Sequence, residues 1–114
     1  MGSLEAEVMG QLWGAAGPLT PAMVQKSLGS DLAYTTVMTI LTRLWKKGLV
    51  SRAPAGRAFE YSPAITEADF LANRMRNELA RTKDRNAVLS RFVDQLPKKD
   101  AKSLRQLLED LDSK

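Results

Sequence analysis

The run Ala33–Val50, AYTTVMTILTRLWKKGLV, continued by Ser51–Tyr61, SRAPAGRAFEY, decides how the rest of the chain is read. Val37, Ile40, Leu41 and Leu44 fall at the three- and four-residue spacing that lines one face of a helix. The spacing predicts a helix that stops at Gly48, just after Lys46 and Lys47. Thr35, Thr36, Met38, Thr39, Thr42, Arg43 and Lys46 occupy its other face. Beyond Gly48 the period changes. Val50–Arg52 and Ala58–Ser62 read as two short strands joined by Pro54, Ala55 and Gly56, with Phe59 and Tyr61 alternating with Ala58 and Glu60.

A helix face of hydroxyls and a guanidinium suits base edges in a major groove. Threonine contacts base edges or the thymine methyl, and arginine bonds guanine O6 and N7 together. A hairpin carrying Arg52 and Arg57 directly after such a helix is placed to lie along the neighbouring phosphates. The bland alternative is an amphipathic helix packed on a hairpin with no ligand at all. Threonine lowers helix propensity, so a helix serving only as scaffold has little use for Thr35, Thr36, Thr39 and Thr42 together on one side.

Composition narrows the classes of function. A chain of 114 residues, 44% apolar and 26% charged, makes one or two small globular domains with a modest core. It contains neither cysteine nor histidine. That removes disulfides, thiolate and imidazole nucleophile pairs, and the common zinc sites. The acids are scattered over helix faces beside basic neighbours, which leaves carboxylate chemistry without a shared pocket. The expectation is a protein that is not an enzyme and needs no cofactor and no metal. No run reaches the roughly 18 apolar residues that span a bilayer, and no leader pattern precedes Leu4, so a cytoplasmic protein without membrane insertion is expected.

The net charge of +4 is unevenly spread. Up to Asp31, Glu5, Glu7 and Asp31 outnumber Lys26, whereas from Leu32 to Pro63 Arg43, Lys46, Lys47, Arg52 and Arg57 face only Glu60. That asymmetry places positive charge on the helix and hairpin, where phosphates would be met.

Before this stretch, Leu4, Val8, Met9, Leu12 and Trp13 mark a core helix with Glu5 and Glu7 in its early turns. Gly14 to Pro18 breaks it, Leu19 is placed to add a short strand to the later hairpin, and Thr20-Pro21 caps a second helix running to about Leu28. Helix, helix, turn, helix, hairpin is the winged helix-turn-helix order.

Pro63 is expected to close that unit. Thr66, Glu67 and Asp69 open a helix running to about Thr82 with Phe70, Leu71, Met75 and Leu79 on its apolar side. Two more helices follow, one with Val88, Leu89, Phe92, Val93 and Leu96, the other after Pro97 with Leu104, Leu107, Leu108 and Leu111. Three short helices on so few residues close a poor core by themselves, so these side chains are expected to meet a second copy of the segment. The expected architecture is mostly α with a small β hairpin: a winged-helix DNA-binding domain over residues 1–63 and a helical dimerisation domain over 64–114.

These residues resemble the penicillinase repressor family, the transcriptional repressors of beta-lactamase and methicillin-resistance operons and their copper-responsive relatives. The resemblance rests on LEAEVMGQLW at Leu4–Trp13, LTPAMVQKSL at Leu19–Leu28, and AYTTVMTILTRLWKKGLV followed by GRAFEYSP. It implies a homodimer with its wing domains on inverted half-sites of duplex DNA, repressing without ligand and relieved when a membrane-embedded sensor protease triggers cleavage in the C-terminal helices. Carried over by position, it puts base and phosphate contacts on Thr35, Thr36, Met38, Thr39, Thr42 and Arg43, with Arg57 at the wing. Where staphylococcal members are cut between Asn and Phe, this sequence has Arg91 before Phe92. The copper-responsive branch carries a cysteine cluster, which this cysteine-free chain cannot form.

The full sequence reading is therefore a dimeric repressor whose affinity comes mainly from Lys46, Lys47, Arg52 and Arg57 and whose sequence choice comes from the threonine and arginine face. Two rivals share the pattern. One is a winged-helix protein-interaction module that binds no DNA. The other is a regulator controlled by an apolar ligand in a pocket lined by Trp45, Phe70 or Met75.

Overall fold

A computed structural model describes residues 3–29 and 31–113. Its elements run α1 (Ser3–Gly14), α2 (Pro21–Leu28), α3 (Tyr34–Lys46), β1 (Val50–Ala55), β2 (Ala58–Pro63), α4 (Glu67–Leu79), α5 (Arg85–Gln95) and α6 (Lys98–Asp112). The chain divides into two compact units, Met1–Phe70 and Leu71–Lys114.

The first unit is built on α3. Val37, Ile40, Leu41 and Leu44 are all buried, as their spacing requires. They meet Val8, Met9 and Leu12 of α1, Val24 of α2, and Val50 and Tyr61 of the hairpin. Thr20 caps α2 by accepting from the Met23 amide at 3.3 Å, and Pro21 fills the first helical position, where its missing N–H costs nothing. The short turn into α3 is braced by the Gln25 side-chain amide, whose Nε2 donates to the Leu32 carbonyl at 3.0 Å.

α3 ends as a Schellman turn. Gly48 N–H donates to the Trp45 carbonyl and Leu49 N–H to the Leu44 carbonyl, each at 3.0 Å, with Gly48 at φ 79°. The chain then enters β1 directly, so the hairpin follows α3 with no slack between them.

β1 and β2 pair antiparallel, with Val50 opposite Pro63, Arg52 opposite Tyr61 and Ala55 opposite Ala58. The strand is longer than the sequence suggested. Pro54 and Ala55, expected in the connection, lie within β1, and the turn is Gly56-Arg57 with Gly56 at φ 66°. Pro54 is tolerated because of the register. Tyr61 exchanges both of its backbone bonds with Leu19, at 2.8 and 3.0 Å, so the Arg52–Tyr61 pair is one whose backbone groups face away from each other. Two residues on, the Pro54–Phe59 pair is of the same kind, and the proline's absent N–H falls on the open outer edge. The short third strand expected at Leu19 is reduced to this single bridge, and the sheet has two strands.

α4 begins inside this unit. Thr66 accepts from the Asp69 amide at 3.1 Å to cap it, and one turn in, Phe70 is 6% exposed. Its ring meets Trp13 edge-on at a centroid distance of 5.4 Å, and Trp13 Nε1 donates to the Ile65 carbonyl at 3.0 Å. This corrects the assignment of Phe70 to a dimer interface: its apolar surface is already consumed by the first core. It also carries the first compact unit past Pro63 to Phe70, where a boundary at 63/64 was expected.

The second unit differs in kind. α4 stops at Leu79 rather than near Thr82, α5 is capped by Asp84 accepting from the Ala87 amide at 3.1 Å, and α6 follows Pro97. Among the described residues from 71 to 113 none is buried. Leu71, Met75, Val88, Leu89, Phe92, Val93, Leu107, Leu108 and Leu111 are exposed, while Leu79, Leu96 and Leu104 are half-buried. Within the second unit these well-formed amphipathic helices leave their apolar faces open.

Candidate nucleic-acid interface

The outward face of α3 is open. Thr35, Thr39, Arg43 and Lys46 are exposed and Thr36, Met38 and Thr42 half-buried. Met38, Thr39, Thr42, Arg43, Lys46 and Lys47 line one shallow depression of about 500 Å³. Of the residues picked out on sequence periodicity, Met38, Thr39, Thr42, Arg43 and Lys46 share this depression, whereas Thr35 and Thr36 lie outside its lining. Helical geometry brings the lining residues together, since positions three and four apart stack on the same face.

The side chains differ in what they have free to offer. Thr39 Oγ1 donates to the Thr35 carbonyl at 2.9 Å. Its proton is spent within the helix, which leaves lone pairs and a methyl group facing outward. Arg43 and Lys46 form no ion pair among the described residues. Lys47 does: its ammonium meets both Glu5 oxygens, at 2.7 and 3.1 Å, tying the end of α3 back to the first turn of α1. Of the two neighbouring lysines expected to act on phosphate, Lys46 alone is uncommitted.

Arg52 also departs from its expected part. Its guanidinium carbon sits 3.6 Å from the centroid of the Trp45 ring and 4.2 Å from that of Phe59. The guanidinium thus lies over two aromatic rings, within the distance at which cation–π attraction operates. Arg57, in contrast, occupies the turn at the wing tip and is exposed. Sequence reasoning treated Arg52 and Arg57 alike and missed the two aromatic partners. Trp45 does lie one turn beyond Leu41, and Phe59 two residues before Tyr61 on the same strand face, which is the signal that places both at the rim of the core.

Of the three residues named for an apolar ligand pocket, Met75 lines an apolar groove and Trp45 and Phe70 are engaged elsewhere. Trp45 stacks on Arg52, Phe70 packs on Trp13, and Met75 belongs to the second unit, where with Leu71, Leu79, Val88, Leu89 and Phe92 it lines an open apolar groove. Among the described residues no cluster of three or more acidic side chains is placed to hold a metal ion, and no helix is long and apolar enough to cross a membrane.

A three-helix core, an exposed polar helix face and a hairpin wing fixed to the end of that helix define a winged helix-turn-helix domain of the kind found in DNA-binding regulators. The family described as penicillinase repressor matches residues 1–110. The transcriptional regulator BlaI of Mycobacterium tuberculosis is 39% identical over 118 residues, covering 99% of this chain and 86% of that protein. The penicillinase repressor of Bacillus licheniformis is 32% identical over 111 residues, covering 93% of this chain and 87% of its own length. Among solved structures, the DNA-binding domain of the repressor BlaI is 35% identical with a TM-score of 0.54, over 60% of this chain and 85% of that one. The chain belongs to the penicillinase repressor family, whose members are transcriptional repressors and not enzymes.

Proposed function

We propose that this chain represses transcription by occupying operators of inverted half-sites as a homodimer in the cytoplasm, with beta-lactamase or related stress genes as its targets. The observation that carries the reading is the open α3 face, where Thr35, Thr39, Arg43 and Lys46 stand exposed beside a wing tipped by Arg57. Arg43 has the bidentate donors to read a guanine, and Lys46 and Arg57 neutralise flanking phosphates. Thr39, its proton already donated, accepts from a base amine or packs its methyl against thymine.

Dimerisation follows from the second unit. The exposed leucines of α6 and the groove between α4 and α5 find their complement in the same segment of a second chain, and a two-fold axis then sets two α3 helices on successive half-sites. Relief of repression by a membrane-embedded sensor protease fits the same layout. Arg91 and Phe92 lie exposed on α5, and a cut there would divide the interface without touching the wing domain.

Fluorescence anisotropy of labelled duplexes, titrated at several salt concentrations, tests the reading. A repressor binds with an affinity that falls steeply with salt, because phosphate contacts release counterions. Binding that is absent, or indifferent to salt, would instead mark the chain as a protein-interaction module.

A further inference from the structure

The geometry points to Arg52 as a positioning residue, a planar wedge that sets the angle of the wing on the recognition helix rather than a phosphate contact. The inference rests on the DNA-binding reading above and goes beyond it by assigning the α3–wing joint to a specific stack.

Arg52 is the one basic residue of the hairpin on its inner face. It lies opposite Tyr61, which is 1% exposed, and two residues beyond Val50, which is 3% exposed. Continued outward, that face leaves the core, and an apolar residue at position 52 would close it. Here a guanidinium takes the place, its carbon over the rings of Trp45 at the end of α3 and Phe59 on β2. No carboxylate pairs with it among the described residues. The two rings are therefore what orients it.

Three elements meet at this point: α3 through Trp45, β1 through Arg52 and β2 through Phe59. A two-stranded hairpin has little rigidity of its own, and the core holds only its base. The stack holds it further out, toward the turn that carries Arg57. For bases to be read by Arg43 while Arg57 meets the backbone, the wing must stand at a set angle to α3, and the contact of Arg52 with both rings fixes that angle. Arginine is suited to the task because its planar, delocalised group packs on aromatic faces, which the compact ammonium of lysine does less well.

A double-mutant cycle on DNA affinity tests this, using the operator duplex recovered by selection from a random-sequence pool and the full-length chain. Arg52→Ala and Trp45→Leu each weaken binding by roughly fivefold, and the double variant binds no worse than the weaker single, since both remove the same stack. Arg52→Lys, which keeps the charge, is as weak as Arg52→Ala. In a Trp13→Phe background, Arg52→Ala alters the emission of Trp45 in the absence of DNA. Near-normal affinity for Arg52→Lys, losses that multiply in the double variant, or an unchanged Trp45 emission would each overturn the assignment. Lack of salt-dependent binding by the unaltered chain would defeat the repressor reading instead, while the emission measurement would still report on the stack.

Discussion

At the scale of single residues, the proposed recognition surface separates into side chains left free and side chains held by partners within the chain. Arg43 is exposed on α3 and unpaired by any acid among the described residues. Arg43→Ala is expected to weaken specific binding by about 1–3 kcal/mol and to relax preference at one base pair. Arg57 at the wing tip is expected to act on all sequences alike, so Arg57→Ala lowers operator and scrambled duplex affinity equally and reduces the salt slope by about one unit. Parallel titrations of both variants on both duplexes check the contrast, and equal losses for Arg43→Ala on the two would count against direct reading. Lys46 and Lys47, adjacent in sequence, are not equivalent. Lys47 is held by Glu5 at 2.7 Å while Lys46 is uncommitted, so Lys46→Ala changes the salt slope more than Lys47→Ala does. The pairing of Lys47 was not legible in the sequence, because its partner lies on α1, and for Arg52 the sequence marks only the rim positions of Trp45 and Phe59 and not their contact with it. Pairing between residues so far apart in the chain is a product of the tertiary fold.

At the scale of elements, periodicity carried most of the information. The stripe of α3 was readable because a helix buried on one side and polar on the other writes that division into its sequence, and Gly48 marked its end because the Schellman turn needs a positive φ. An added Cβ at Gly48 meets nothing within 4 Å, so Gly48→Ala suffers backbone strain alone and should cost about 1–2 kcal/mol in thermal unfolding. The length of β1 was misjudged at Pro54, since a proline reads as a breaker until the register shows that its missing N–H faces the free edge. Phe70 was misjudged for a related reason. Its place on the apolar side of α4 was right, but the sequence gives no sign of whether that turn faces its own core or another chain. Trp13 decides the matter, through the edge-on contact with Phe70 and its bond to the Ile65 carbonyl. Phe70→Ala should therefore destabilise the first unit by about 3–5 kcal/mol. Chemical denaturation followed by tryptophan fluorescence checks it, and a loss confined to self-association would show that Phe70 belongs to an interface after all.

At the scale of the whole molecule, the two units pose opposite problems. The first closes a buried core and presents a polar face; the second folds into helices in which no described residue is fully buried, with Leu107 and Leu111 each 64% exposed. The sequence showed these helices and their stripes but not what covers them, since a stripe facing a second chain has the same pattern as one facing the first. Leu107→Glu together with Leu111→Glu is expected to give a monomer in sedimentation equilibrium with the first unit still folded, and to weaken operator binding far more than any single change on α3. In the proposed repressor, two copies of the α3 face read duplex DNA together. Selection of bound duplexes from a random-sequence pool by the intact chain is the decisive measurement. Enrichment of an inverted repeat whose half-sites are centred about one or more helical turns apart is expected; recovery of an isolated half-site, or of duplexes with no shared sequence, would rule the paired reading out.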